Sequence, residues 1–397
     1  MEKVNASTKL PAMDAVETIG SGRLTGQVYL GDNLNLIAAG ALPGPIKMIY
    51  MDPPFEVGSD FYFQVPGNGK KIVAYNDKWT SSNTYMDMIV PRLKAMYRLM
   101  ADDGCLFFHC DWRLNARIRF VLDDIFGREN FLNEIIWAYR SGGASRKESL
   151  ARKHDTIFFY RKSKTFRFHA LQERQYLEKP FMQSRIDGDG RYYVDTLLRD
   201  VLEGELTIVN GDRLEKFNVR PVLNVSSERL GYPTQKPIGL LKLLVLMSTR
   251  PGDWVADFFC GSGTTLDAAH QLGRRWIGCD AGKIAAHVTW KRMLSNRNSL
   301  SGRWELRAPA PVEGSLHDLG LRRINGQTTR ACRLPKRVDY WAMDGHFRND
   351  FKNRSFAARE PKTGALRGLH IPLTEKGKIA IDVVDSEGTR KRIVLYD

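Results

Sequence analysis

Asp253-Trp254-Val255-Ala256-Asp257-Phe258-Phe259-Cys260-Gly261-Ser262-Gly263-Thr264-Thr265 is the stretch on which the fold turns. The apolar run Trp254 to Phe258 predicts a buried strand, the two glycines a tight turn, and Thr265 to Leu272 a helix leaving it. Trp276 to Cys279 predicts the next strand, closing on Asp280. In this layout backbone can pass close to a nucleoside-containing cofactor while an acid about 20 residues on accepts both ribose hydroxyls. The third glycine of the dinucleotide fingerprint is missing, so no pyrophosphate cradle is expected. A GxG turn alone is more often a packing feature than a cofactor site.

Outward from this segment the same alternation recurs. Val28 to Leu30 and Ile46 to Tyr50 predict buried strands that run into Gly31-Asp32 and Asp52-Pro53-Pro54. Met88, Ile89, Leu93, Met96, Tyr97 and Met100 are spaced three and four apart, predicting a helix over Tyr85 to Met100. Cys105 to Phe108 predicts a strand ending in His109-Cys110-Asp111-Trp112-Arg113. Arg113 to Phe126 and Pro237 to Ser248 read as helices, and Glu134 to Tyr139 and Thr156 to Tyr160 as strands. The pattern predicts an α/β fold with a mainly parallel sheet. Residues 1–162 and 226–300 read as two parts of one domain, 163–225 as an insertion outside the sheet, and 301–397 as a small basic β-rich domain. In the last, Val338 to Met343 predicts a strand, and Ile379 to Val384 with Arg392 to Tyr396 a hairpin.

The chain has 397 residues, a formal charge of +15 and five cysteines. Its pI near 9.6 points to a polyanionic partner, because neutralised phosphates supply most sequence-independent affinity for nucleic acid, although many basic proteins bind none. Met1 to Pro11 lacks the apolar core of a signal peptide, and no run approaches the roughly 20 apolar residues that span a bilayer. Cys105, Cys110, Cys260, Cys279 and Cys332 include no CxxC pair, so no metal is expected and a reducing cytoplasm fits.

Asp52-Pro53-Pro54-Phe55 is the more specific motif. Two prolines fix the backbone and remove donors, so the Asp52 carboxylate and a carbonyl can both accept from an amino group. Phe55 offers a flat face for an extruded base. The plain alternative is a rigid strand-end turn with an aspartate cap. Between Arg140 and Arg167 the basic residues, Arg140, Arg146, Lys147, Arg152 and Lys153 among them, outnumber the acids beside a Gly/Ser-rich loop. That arrangement suits phosphate contacts, and equally a solvated surface.

With Tyr232-Pro233-Thr234-Gln235-Lys236-Pro237 before the glycine turn, these motifs resemble the amino-methylating, S-adenosylmethionine-dependent DNA methyltransferases in beta-class motif order. The resemblance covers about Gln27 to Arg297, without the middle insertion. It implies a Rossmann-like methyltransferase fold, S-adenosyl-L-methionine as cofactor and double-stranded DNA as partner, with 163–225 reading the target sequence. Asp52 and the Pro53 carbonyl would hold the target amine, with Pro54 stiffening the turn and Phe55 stacking on the flipped base. Asp257, Phe259, Gly261 and Gly263 would shape the cofactor pocket, Asp280 would take ribose, and Lys236 with Thr234 would lie near the methionine end. Asp32 resembles the acidic contact to the cofactor's adenine, with a helix N-cap as its alternative. His109 and His154-Asp155 lie near the implied base pocket, and His109 has a plain structural alternative.

The implied reaction is methylation of adenine N6, with cytosine N4 second. Cytosine C5 chemistry is disfavoured because no Pro-Cys pair supplies a nucleophile. A catalytically silent nucleic-acid binder with this fold remains a reading, as does a nicotinamide-dependent oxidoreductase, in which the DPPF motif has no role. A homodimer and a cognate restriction endonuclease are further partners that the resemblance admits, in a prokaryotic, nucleoid-associated setting.

Overall fold

Ten strands build the central sheet: β1 (Ala15–Ile19), β2 (Leu24–Leu30), β3 (Ile46–Met51), β4 (Met100–Cys110), β5 (Phe131–Ala138), β6 (His154–Arg161), β7 (Val201–Glu203), β8 (Trp254–Asp257), β9 (Arg275–Asp280) and β10 (Arg303–Arg307). Across the sheet they lie in the order β1-β10-β2-β9-β8-β3-β4-β6-β5-β7. Every pairing from β10 to β4 is parallel, as is β5 with β7; β1 with β10, β4 with β6 and β6 with β5 are antiparallel. This computed structural model describes residues 15–40, 42–65, 70–140, 149–211, 213–296, 302–314, 323–324, 327–328, 338–344, 351–352, 355–359, 366 and 379–395.

The central strands are apolar on both faces because helices cover both. Val28, Met48, Ile49, Tyr50, Met51, Val255, Ala256 and Ile277 are buried almost completely. The helices are α1 (Asn33–Ala38), α2 (Ser82–Leu99), α3 (Asn115–Phe126), α4 (Ile238–Ser248), α5 (Thr264–Gln271) and α6 (Lys283–Ser295). Helix α2 buries Tyr85, Ile89, Leu93 and Met96, largely the stripe its spacing predicts, and Ser81 caps it by accepting from the Thr84 amide. Crossovers β3–α2–β4 and β8–α5–β9 leave the adjacent strands β3 and β8 in opposite directions. A crevice must open at the carboxyl ends of those two strands, where Asp52 and Phe259 follow them.

Two strands lie elsewhere than the sequence division implies. Val201–Glu203, inside the insertion, joins the central sheet by parallel pairing with β5, and its Leu202 is buried against the main core. Arg303–Arg307, beyond residue 300, lies between β1 and β2; Trp304 is buried, and Glu305 accepts from Gln27. Both segments are too short and too mixed in charge to announce a buried strand. The rest of the insertion forms its own five-stranded sheet, with Gln172–Leu177 central to it. Leu206, Ile208 and Phe217 from this sheet, with Val219 just after it, pack into the same core as α4.

A third sheet of five strands includes Val338–Asp344 and the hairpin Ile379–Asp385 with Arg390–Leu395. It is tied to the central domain by buried hydrogen bonds and ion pairs. Asp339 lies 2.7 Å from His287 and 2.5 Å from Lys291 of α6, and Arg390 bridges Asp382 and Glu17 of β1. These partners hold Asp339 down to about 2 against the upward push of burial.

Candidate active site

One cavity of about 640 Å³ opens at the carboxyl ends of β2, β3, β8 and β9. That is ample for a nucleoside-sized ligand and an adjoining base. Asp52, Pro53, Pro54 and Phe55 line it together with Asp32, Thr234, Lys236, Asp257, Phe259, Gly261 and Asp280. Residues 184 positions apart meet directly: Lys236 Nζ donates to Asp52 Oδ2 at 2.7 Å.

In the glycine half, Gly261 adopts φ +49°, and a Cβ there would meet the Tyr232 ring at 3.1 Å. Its amide donates to Asp280 Oδ2 at 2.9 Å, while its carbonyl accepts from Thr289 of α6 at 2.9 Å. Asp280 Oδ1 accepts from the Gly282 amide at 2.8 Å. Burial raises the Asp280 carboxyl, and these two amides oppose the shift. Asp257 accepts from the Phe259 amide and from the Thr265 hydroxyl, at 3.0 and 2.6 Å. A bare backbone turn held open by positive φ, next to a strand-end carboxylate, fits the adenosine of the implied cofactor.

Four of the residues named from sequence have further contacts that their motifs do not encode. Gly263 is not among the cavity-lining residues; it caps α5 at φ 73°, and a Cβ would meet Thr289 Oγ1 at 2.8 Å. Asp32 lines the cavity and also caps α1, accepting from the Leu34 and Asn35 amides, with Arg92 paired to its other oxygen. Lys236 is spent on Asp52, because a carboxylate only 16% exposed needs a close counter-charge. Thr234 adopts φ 54° and its hydroxyl meets that of Tyr75 at 3.1 Å.

The tetrad half is walled by aromatic rings and a buried polar network. His109 is buried in β4: Nδ1 meets the Tyr50 hydroxyl at 2.7 Å and Nε2 meets Asp155 at 3.3 Å. Tyr139 donates to the other Asp155 oxygen at 3.1 Å. Burial pushes the Asp155 carboxyl up, but His109, Lys236 and Tyr139 outweigh it and leave the group below its ordinary value. The ring of Phe55 lies 5.7 Å from that of His109 and 5.3 Å from Lys236 Nζ. Asp52 Oδ1 is 4.0 Å from His109 Nδ1 and has no short hydrogen bond among the described residues.

Asp77 was not singled out by sequence. It ends the strand Lys71–Asp77 and is 1% exposed. Its carboxylate accepts from the amides of Phe55, Glu56 and Val57 at 3.1, 2.9 and 3.0 Å, and from Trp79 Nε1 at 2.9 Å. Glu56 is held at φ 59°, a conformation costly for a side-chain-bearing residue. The only sequence signal was an aspartate at the end of a predominantly apolar hairpin strand.

Of the basic residues, Arg140 is exposed and pairs with Glu203 at 2.8 Å, Arg152 stacks on Trp112, and Lys153 is half-buried. Arg146 and Lys147 lie outside the described residues. No group of acids, histidines and cysteines among the described residues could hold a metal ion, and no described helix is long and apolar enough to cross a membrane.

Asp257 carries a pH prediction. Burial pushes its carboxyl up to about 7, helped by Asp52 and Asp280 and opposed by Thr265 and Phe259. The unfolded chain releases this proton near pH 3.9, so the native state holds more protons between about pH 4 and 7. The stabilising contribution is complete below that window and is lost as pH rises through about 7. Asp257→Asn keeps both hydrogen bonds if the Thr265 hydroxyl accepts. Urea unfolding should show the variant gaining stability relative to the parent from pH 5 to pH 8; a constant difference would sink the assignment.

The family model described as DNA methylase, of the N6/N4 methyltransferases, matches residues 46–289. The type II methyltransferase M.EcaI of Enterobacter cloacae is 28% identical over 302 residues, 63% of this chain and 65% of its own length. The type II methyltransferase M1.MboII of Moraxella bovis is 34% identical over 243 residues, 59% of this chain and 84% of that protein. The DNA adenine methyltransferase YhdJ of Escherichia coli K12 is 24% identical over 238 residues, 59% of this chain and 71% of that protein. The match to M.EcaI thus spans less than two thirds of that relative. The matched region holds both the tetrad and the glycine turn, and the chain belongs to the N6/N4 DNA methylase family.

Proposed function

We propose that this protein methylates an exocyclic amino group of a base in double-stranded DNA, with S-adenosylmethionine as donor and adenine N6 as target. The observation that carries the reading is the meeting, in one cavity, of Asp52-Pro53-Pro54-Phe55 with the Gly261–Asp280 cradle. When bound, S-adenosylmethionine supplies a methyl group already activated on a sulfonium sulfur. Asp280 takes the ribose hydroxyls, Gly261 lets the nucleoside approach the backbone, and Phe259 covers it.

Asp52 does the work on the base. An exocyclic amine is a poor nucleophile because its lone pair is delocalised into the ring. Hydrogen bonds from that amine to Asp52 Oδ1 and the Pro53 carbonyl favour the pyramidal nitrogen with a free lone pair, while Lys236 holds Oδ2 and fixes the carboxylate. Phe55 stacks on the extruded base, and Trp137, Tyr139 and Asp155 close the other side. The aspartate tetrad and the name of YhdJ support adenine.

The five-stranded sheet within 163–225 reads the target sequence, the third sheet within 301–397 is an accessory unit, Arg140, Arg152 and Lys153 contact phosphates, and the compartment is the cytoplasm. Its proposed partners are a cognate restriction endonuclease and a second copy of the chain, the latter to be checked by light scattering. The test is incubation with unmethylated genomic DNA and methyl-labelled S-adenosylmethionine, then nucleoside mass spectrometry. N6-methyladenine is expected; N4-methylcytosine would correct the base, and no labelled nucleoside from a cofactor-binding protein would overturn the reading.

A further inference from the structure

Trp112 is the most exposed of the tryptophans, at 44%, whereas Trp137, Trp254, Trp276, Trp290, Trp304 and Trp341 are all buried. It stands just past the end of β4. Parallel pairing of β3 with β4 sets Met51 opposite Phe108, so Asp111 and Trp112 leave the sheet beside Asp52 and Pro53. Antiparallel pairing with β6 sets Cys110 opposite Thr156, which brings Arg152 to the same end as the cavity-wall residue Asp155. Trp112 does not line the cavity; it stands outside it.

Two guanidinium groups lie close to the indole. The Arg152 guanidinium lies 3.8 Å from its ring centroid and that of Arg113 lies 5.0 Å away. Buried Asp111 accepts from the Arg113 amide and pairs with its guanidinium, fixing that side. Arg152 has no acidic partner among the described residues, so its charge is free for a phosphate. A large flat apolar ring, half in water and braced by guanidinium groups, is the composition of a stacking platform for an unpaired base with its backbone phosphate.

We propose that Trp112 with Arg152 is a second nucleobase site, which stacks a base of the DNA next to the opened target and so stabilises the open duplex. This rests on the reading that the protein extrudes its target from duplex DNA. Removing a base from the stack leaves its neighbours without a partner face, and an aromatic ring at the pocket's edge replaces it. Arg152 adds a salt-dependent phosphate contact.

The test compares the parent protein with Trp112→Ala, Trp112→Phe and Arg152→Ala on two duplexes, one fully paired and one mismatched at the target. Trp112→Ala should lower kcat/KM on the paired duplex about tenfold to a hundredfold, the range for loss of one base–aromatic stack. On the mismatched duplex, where opening is already favourable, the loss should shrink to a few-fold. Trp112→Phe should retain most activity, and Arg152→Ala should weaken binding with a shallower salt dependence. Equal losses on both duplexes, or none on either, would overturn the proposal. DNA binding is read separately as the quench of tryptophan emission lost in Trp112→Phe. A parent that shows this quench but methylates nothing leaves the platform standing and sinks the methyltransferase reading; an absent quench with methylation intact sinks the platform alone.

Discussion

Replacing Asp52 by alanine should lower kcat by about 10²–10³-fold, the loss typical of one preorganised hydrogen-bonding group at a reacting centre, while cofactor affinity changes little. The geometry separates these effects. Asp52 stands in the tetrad half, whereas the groups suited to the nucleoside, Gly261 and Asp280, hold each other through their own 2.9 Å hydrogen bond. Asp52→Asn should be nearly as inactive. Lys236 Nζ, 2.7 Å from Oδ2, can only donate, so it selects the rotamer that turns the amide oxygen towards itself. The amide nitrogen then faces the incoming amine, a donor against a donor. Single-turnover methylation with saturating S-adenosylmethionine, alongside calorimetric binding of the cofactor, checks both parts. Activity of either variant within about tenfold of the parent would mean that Asp52 does not hold the amine.

Asp77→Ala should be the most damaging change outside the cavity's reacting groups. It removes the common acceptor of three successive amides and the Trp79 indole. Each buried donor left unmatched costs about 1–3 kcal/mol, less where water enters. Glu56 loses the bonds that hold its left-handed backbone, and Phe55 loses its fixed position. The expected result is a drop in Tm of several degrees together with a fall in kcat of about a hundredfold, since a misplacement near 1 Å costs that much. Asp77→Asn keeps one carbonyl acceptor and should fall between the two. Cofactor affinity should be largely preserved, because the cradle around Gly261 stands on other elements. Unchanged Tm and unchanged kcat in Asp77→Ala would show that the tetrad loop holds itself.

The local chemistry of the tetrad and of the glycine turn was legible because each is encoded by consecutive residues. Prolines at 53 and 54 fix a backbone wherever they stand, and Gly261 is the residue suited to φ +49°. The strands around them were legible for the same reason, as continuous apolar runs between turns. Helix α6 has no legible stripe in the sequence: buried His287, Thr289 and Arg292 interrupt its apolar pattern, since the C-terminal sheet and the glycine turn supply polar partners to it. The short strands Val201–Glu203 and Arg303–Arg307 have no such local signature, because their pairing partners lie far away in sequence.

The fold class and the order of the motifs are written in the sequence, which also names candidate residues for an amine and a ribose, because these depend on residue type and near-neighbour spacing. Only the folded chain shows that Lys236 pairs with Asp52, that Asp77 clamps the tetrad loop and that a side chain at 263 would strike Thr289. Those facts rest on contacts between residues 22 to 184 positions apart, or on what a missing Cβ would strike, and no local pattern encodes them. A buried charge takes the partner that packing brings to it, and the packing is set by the whole sheet.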